Sequence, residues 1–335
     1  MDSVLITGAS GFIGSFLVEE ALRRNFGVWA GVRSSSSREY LRDRRIHFLE
    51  LDFAHPDELR AQLSGYKGTH TAFDYVIHCA GVTKCADKAD FDRVNFQQTK
   101  CFVETLCELN MVPRQFVYIS TLSVFGPVHE QDYRPICEDD EPRPNTAYGL
   151  SKLKAERYLQ SLSDFPYVIY RPTGVYGPRE RDYFLMAKSI RQHVDFAAGF
   201  RRQDLTFVYV RDVVQAVFRG IEKGVSRRAY FLADGDVHPS KAFSELLRKE
   251  LGNPFVVRLK CPLFLLRFIS VLSEWWARRR KKGSTLNTDK YNIMKQRNWR
   301  CDITPAVNEL GYAPEYNLER GVKETVAWYK NAGWL

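Results

Sequence analysis

Near its start the chain runs "SVLIT", stops at glycine, and continues as "GASGFIG" into the amphipathic stretch "FIGSFLVEEALRR". A short apolar run bounded by glycine predicts a buried strand, and the helical spacing behind it predicts a helix. Gly8, Gly11 and Gly14 fall in the turn between them. Gly8 permits the tight turn, Gly11 lets the backbone approach a pyrophosphate, and Gly14 lets the helix pack closely. The first N–H groups of the helix and its positive dipole end face the same place. Ser10, Phe12 and Ile13 complete this loop. Glycine spacing alone is also met in ordinary turns, but the strand–loop–helix context favours a dinucleotide loop.

The alternation continues. "GVWAGV", "IHFLELD", "YVIHCAG", "RQFVYIS" and "YVIYRP" read as strands, separated by amphipathic stretches such as "DELRAQL" and "YGLSKLKAERYLQSL". Strands alternating with helices predict βαβ units, a parallel sheet and, with right-handed crossovers, an α/β doubly wound (Rossmann) fold. Ligands then belong at the carboxyl ends of the strands. After residue 178 the rhythm becomes irregular. We therefore expect residues 1–178 to be mainly the NAD(P)-binding domain and 179–335 mainly a smaller mixed α/β substrate-side lobe, with 205–220 returning to the first domain.

An NAD site usually carries an acid about 20 residues on, at the end of the second strand. Here Gly31 stands at that place and Arg33 follows, with Ser34, Ser35 and Arg38 nearby. A guanidinium can clamp a phosphate, so NADP(H) is favoured over NAD(H), which stays open; a solvated loop arginine is the plainer reading of Arg33. Asp52 in "LELDF", with Phe53 beside it, can accept from an adenine amino group or serve a nearby helix start.

Tyr148 and Lys152 stand four apart in "TAYGLSKLKAE". That spacing puts a phenol and an ammonium on one helix face. A free phenol is a poor base at neutral pH, with a pKa of about 10. A nearby ammonium and a cationic nicotinamide would lower it, letting Tyr148 exchange a proton with a substrate oxygen. Ser120, Thr121 and Ser123 in "YISTLSVFG" offer a hydroxyl to orient that oxygen.

The sequence resembles the extended short-chain dehydrogenase/reductases, within the NAD-dependent epimerase/dehydratase superfamily. The resemblance rests on "TGASGFIG", "HCAG", Asn95 in "RVN", "STLSVFG", "YGLSK", "RPTGVYGP" and "FVYVRDVVQA", which occur in family order across nearly the whole chain. It implies a catalytic set of Thr121, Tyr148 and Lys152, the last two also touching cofactor. It further implies cofactor contacts from Cys79, Ala80, Gly81 and Asn95, and, near the nicotinamide, from the stretch Pro172 to Val175. Dimers through the helices around 92–109 and 149–162 are implied too. Three departures bear on the reaction. Leu122 and Ser123 replace the Asp and Glu that dehydratases place after the catalytic Thr. Leu205 replaces the arginine that holds a nucleotide in nucleotide-sugar members, with Arg201 and Arg202 nearby but out of register. Arg33 points to NADP, whereas epimerases mostly hold NAD. The resemblance is thus nearest to hydroxysteroid dehydrogenase and dihydroflavonol reductase relatives. It implies a secondary alcohol–ketone oxidoreductase, with a nucleotide-sugar epimerase and a non-catalytic dinucleotide-binding protein as alternatives.

The segment "CPLFLLRFISVLSEWWARRRKKG" is apolar around a narrow polar stripe of Arg267, Ser270 and Glu274, and ends in a basic cluster, Arg278–Lys282. Two readings stay open: a helix in a membrane interface, giving peripheral contact through 262–282, or a core or lid helix beside the substrate. Either suits an apolar small-molecule substrate. The net charge of +9 suits an anionic cofactor or surface, but no aromatic platform interleaves the cations, so nucleic acid is not expected. Seven scattered cysteines without zinc spacing suggest reduced thiols in the cytoplasm. His78, His193 and His238 stand alone, and no metal site is expected. We expect no signal peptide and no spanning helix.

Overall fold

A computed structural model of the 335-residue chain describes residues 1–279 and 286–335. The cations at 280–282 lie outside the described residues. In chain order the elements begin with β1 (Ser3–Thr7), α1 (Phe12–Arg23), β2 (Gly27–Val32), β3 (His47–Glu50), α2 (Pro56–Lys67), β4 (Tyr75–His78) and the short α3 (Ala89–Phe91). A π-helical stretch (Asp92–Gln97) runs into α4 (Gln98–Glu108), followed by β5 (Gln115–Ile119), α5 (Ala147–Ser161), β6 (Tyr167–Pro172), β7 (Gly174–Tyr176) and α6 (Arg181–Arg191). Then come β8 (Val194–Ala198), β9 (Asp204–Leu205), β10 (Phe207–Tyr209), α7 (Val210–Glu222), β11 (Arg228–Leu232), β12 (His238–Pro239), α8 (Ala242–Glu250) and β13 (Val257–Cys261). The last described elements are α9 (Leu263–Arg279), α10 (Thr288–Lys295), α11 (Thr304–Leu310) and α12 (Leu318–Asn331).

Seven strands form one sheet in the order β11-β6-β5-β4-β1-β2-β3. From β3 to β6 every pairing is parallel, with Thr7 opposite both Gly31 and His78. This is the doubly wound α/β sheet expected from the alternation. Strands β5 and β6 are buried along their whole length, as largely apolar runs covered on both faces must be. The chain leaves β1 for β2 and β3, then returns to β4 on the other side of β1. The strand order therefore reverses between β1 and β4, which makes their carboxyl ends the switch point where ligands settle.

The chain divides into two compact units. The first gathers Met1–Thr121, Ala147–Arg171 and Val214–Tyr230. Its core packs Leu59 and Leu63 of α2, Phe102 and Leu106 of α4, and Ala155 and Leu159 of α5 with Leu5, Val76, Phe116 and Ile169 of the sheet. The second unit gathers Leu122–Thr146, Pro172–Val213 and Phe231–Leu335. Its core is aromatic, with Tyr176, Phe207, Tyr209, Phe243, Tyr316 and Tyr329 together. Three two-stranded ribbons, β7 with β10, β9 with β12 and β8 with β13, belong to it. Helix α9 does not serve as a core helix: Phe264, Phe268, Val271, Trp275 and Trp276 are all exposed. No described helix is long and apolar enough to cross a membrane.

Candidate active site

The glycine loop follows β1. Gly8 adopts φ +65°, a left-handed conformation that favours glycine. A Cβ there would lie 2.7 Å from the Ala80 nitrogen, and one on Gly14 only 2.1 Å from the Gly8 carbonyl oxygen. Gly11 donates its N–H to that carbonyl at 2.9 Å and then serves as N-cap of α1. With no side chain capping α1 and no acid in its first turn, nothing there competes for an anion. Close backbone approach joined to an uncapped helix start fits a dinucleotide pyrophosphate. Ser10, Phe12 and Ile13 are half-buried in the same loop.

Across the switch point, Cys79, Ala80 and Gly81 follow β4. The Gly14 N–H donates toward the Cys79 sulfur, and burial pushes this thiol up to about 11. Asn95 is fully buried in the π-helical stretch. Its Oδ1 accepts from the Val82 N–H (2.8 Å), and its Nδ2 donates to the Val82 carbonyl (3.0 Å) and the Ser151 hydroxyl (3.1 Å). Asn95 thus fastens the loop after β4 to α5. His78 donates or accepts at both ring nitrogens, with Thr7 and Thr99 hydroxyls at 2.8 and 3.0 Å. Burial holds it neutral, with a pKa near 3.

On α5, Lys152 is buried and donates from Nζ to the Ile119 carbonyl at 2.8 Å; it lies 4.6 Å from the Tyr118 ring centre. Burial pushes it down to about 8, against the opposing pull of Cys79 and Glu156. The Tyr148 and Thr121 side chains hydrogen-bond each other. Sequence spacing predicts a lowered phenol here, yet burial raises Tyr148 to about 12, with the Thr121 bond working against it. One turn beyond Lys152, the fully buried Glu156 carboxylate accepts from Ser120 and pairs with Arg171 at 2.7 Å. Sequence reasoning missed Glu156; its place four residues after Lys152 was the available signal.

The other residues of interest scatter more. Arg33 is exposed at the end of β2, where its backbone forms a turn with Ser36. Gly31 is buried, and a Cβ there would press on Leu51 and Thr7 at 3.2 and 3.3 Å. The Asp52 carboxylate accepts from the Ala54 N–H (2.9 Å) and meets His55 Nδ1 at 2.9 Å, which holds it below its ordinary range. Its local use is therefore at the start of α2. Ligand atoms of Asp52, His55 and Glu58 lie within 4.8 Å of one another, a solvent-facing trio that exposed acidic helix starts often form. Phe53 packs edge-on to Phe102 at 5.3 Å. Pro172 and Val175, at the end of β6 and on β7, belong to the second unit. Leu205 is half-buried on β9 of that unit, packed against its aromatic core.

Residues 4–233 match the model of the NAD dependent epimerase/dehydratase family. The chain is 25% identical to an uncharacterised protein of Escherichia coli (strain K12), covering 99% of both. It is 26% identical to the decarboxylating sterol-4-alpha-carboxylate 3-dehydrogenase of Saccharomyces cerevisiae, covering 98% of both. In fold it is similar to the UDP-glucose 4-epimerase of Thermotoga maritima solved with UDP-glucose, at 21% identity, with TM-score 0.78 over 98% of this chain and 99% of that one. With the glycine cradle, the reversed strand order and the family match together, the chain belongs to the NAD dependent epimerase/dehydratase family and is an enzyme of the extended short-chain dehydrogenase/reductase type.

Proposed function

We propose that the chain is an NADP(H)-linked oxidoreductase interconverting a secondary alcohol and a ketone on a largely apolar substrate. The observation that carries it is the Thr121–Tyr148 hydrogen bond on the unit that also holds buried Lys152 and the glycine loop. Gly8 to Gly14 would hold the pyrophosphate of a dinucleotide, with Cys79 to Gly81 and Asn95 beside it, and its nicotinamide would supply the hydride chemistry. Tyr148, neutral at about 12, is ready to give a proton to a ketone oxygen. In the other direction it must first lose that proton, and the Lys152 ammonium favours the resulting phenolate. Thr121, already bonded to the phenol, gives the substrate oxygen a second partner. Lys152, held by the Ile119 carbonyl, also has donors left for the cofactor ribose. Arg33, exposed and without a carboxylate partner among the described residues, is the group we assign to the 2′-phosphate. A cytoplasmic setting for the seven free thiols and a homodimer through 92–109 and 149–162 belong to the same reading.

One observation favours a second reading, nucleotide-sugar epimerisation. A cavity of about 590 Å³ in the second unit is lined by Arg201, Arg202, Lys241, Arg258, Lys260 and Arg300. Four of these are already engaged: Arg202 with Asp204 at 2.7 Å, Arg258 beside Asp195 at 3.2 Å, Lys241 with Glu245 at 3.1 Å, and Arg300 with the Tyr133 carbonyl at 2.7 Å. An apolar alcohol carrying one carboxylate, the chemistry in the name of the yeast relative, would need only the remainder.

Cofactor titration and thermal protection test this. NADPH should bind more tightly than NADH, and Arg33→Ala should weaken NADPH selectively. With NADPH present, steroid-like or aromatic ketones should raise the melting temperature and consume nicotinamide absorbance, whereas UDP-sugars should do neither. Protection by a UDP-sugar and none by apolar ketones would make the epimerase reading the better one.

A further inference from the structure

Helix α9 turns Ser270 and Glu274 inward. Ser270 is fully buried, with its hydroxyl on the Leu266 carbonyl at 2.7 Å. The Glu274 carboxylate accepts from the N–H and hydroxyl of Thr288, at 3.1 and 2.7 Å. Most of the outward residues are apolar. Phe264 is 77% exposed and Phe268 65%, and Leu265, Ile269, Val271, Leu272, Trp275 and Trp276 are exposed with them. Strand β13, which leads into α9 through Pro262, exposes Val257 and Leu259, the latter opposite exposed Phe196 of β8. Eight large apolar side chains on one short helix far exceed the scattered exposure of an ordinary surface.

The charges on this face say what covers it. The exposed polar residues described on α9 are Arg267 and Arg279, and its one carboxylate, Glu274, is turned inward to Thr288. Arg279 lies over the Trp275 ring at 4.1 Å, a pairing with an apolar body and a cationic rim. A second copy meeting this face two-fold would set arginines against arginines. A bilayer accepts the apolar side chains among its acyl chains, the tryptophans at headgroup level, and the arginines on anionic headgroups. Seventeen residues give a helix of about 25 Å, shorter than a hydrocarbon core, with Arg267 inside it, so it lies flat and does not span.

We propose that the outward face of α9 docks the enzyme on an anionic lipid bilayer, with the helix in the plane of the interface. This is independent of which substrate is turned over. The test is sedimentation of the full chain with vesicles of phosphatidylcholine alone or mixed with phosphatidylserine. The protein should pellet with the mixed vesicles and far less with the neutral ones. Arg267→Glu with Arg279→Glu should weaken binding to mixed vesicles by roughly tenfold or more. Phe264→Glu with Phe268→Glu should abolish pelleting while circular dichroism shows unchanged folding. Brominated phosphatidylcholine in the mixed vesicles should quench tryptophan emission in the wild type, and much less in Trp275→Phe with Trp276→Phe, a change mild enough to leave the fold intact. Failure to pellet with either vesicle would overturn the proposal. So would light scattering that shows a wild-type dimer split by the two Phe→Glu changes, because a second copy would then be the cover.

Discussion

Burial acts on Tyr148 and Lys152 in opposite senses, raising the phenol to about 12 and lowering the ammonium to about 8. Both shifts favour the neutral side chain, so the pair is less strongly charged than two such groups in water. In the proposed reaction Tyr148 is therefore suited to giving a proton, and taking one would depend on Lys152 remaining charged. Tyr148→Phe should preserve folding and NADPH binding but lower turnover on the order of 10²–10⁴-fold. Steady-state rates beside a cofactor titration check this, and near-normal turnover would remove Tyr148 from the chemistry. The placing of both residues on one helix was legible from their i,i+4 spacing. Their acid–base state was not, because it depends on how much water the fold removes around them, and spacing carries no information on that. Asp52 makes the same point: its carboxylate accepts from Ala54 and meets His55, contacts that "LELDF" does not spell out.

At the scale of elements, α5 presents a ladder at four-residue steps: Tyr148, Lys152, Glu156. The third rung is locked by Arg171 of β6, which donates to Glu156 at 3.1 and 2.7 Å from Nε and Nη2. Both groups are nearly sealed from water, so each is tolerable only with the other. Arg171→Met should cost about 3–5 kcal/mol in urea unfolding, because it strands a buried carboxylate. Glu156→Gln removes a charge that raises the pKa of Lys152, so the alkaline fall of the pH–rate profile should move to lower pH. An unmoved profile would confine Glu156 to a purely structural part. The strands and α5 were readable from apolar runs and helical spacing. The π-helical stretch at Asp92–Gln97 was not, since one extra residue in a turn leaves no mark on hydrophobic period. For α9 the pattern was read, but which side of it faces the protein is a tertiary fact.

For the whole molecule, the strand alternation sufficed to anticipate a parallel doubly wound sheet, while the irregular stretch after residue 178 gave little. Three of its strands, β9, β10 and β12, are only two or three residues long, too short to leave a period. Stability should carry the marks of two buried bases. His78 has a folded pKa of about 3 against an ordinary 6.5, so between those values the unfolded chain binds more protons and stability is lost as pH falls. Lys152 works the same way between about 8 and 10.5, where stability rises as pH rises. Across that upper window the wild type should gain on Lys152→Met by up to about 3 kcal/mol. Denaturant curves at its two ends measure the gain, and parallel behaviour of the two proteins would mean that Lys152 is not desolvated as described.

The first unit is stitched from three separated stretches, the last ending at Tyr230. On the ribosome, β1 to β5 are complete once Ile119 has emerged, but β6 and β11, which finish that edge of the sheet, are made much later. Until Pro172 is made, β5 has no neighbour on one side, and from then until Leu232 is made the open edge is that of β6. The growing chain is then at its most vulnerable, and a holding chaperone has the most to do between synthesis of Ile119 and of Leu232. A synonymous change that slows translation within that span prolongs the hazard; one placed after Leu232 falls on a sheet already closed.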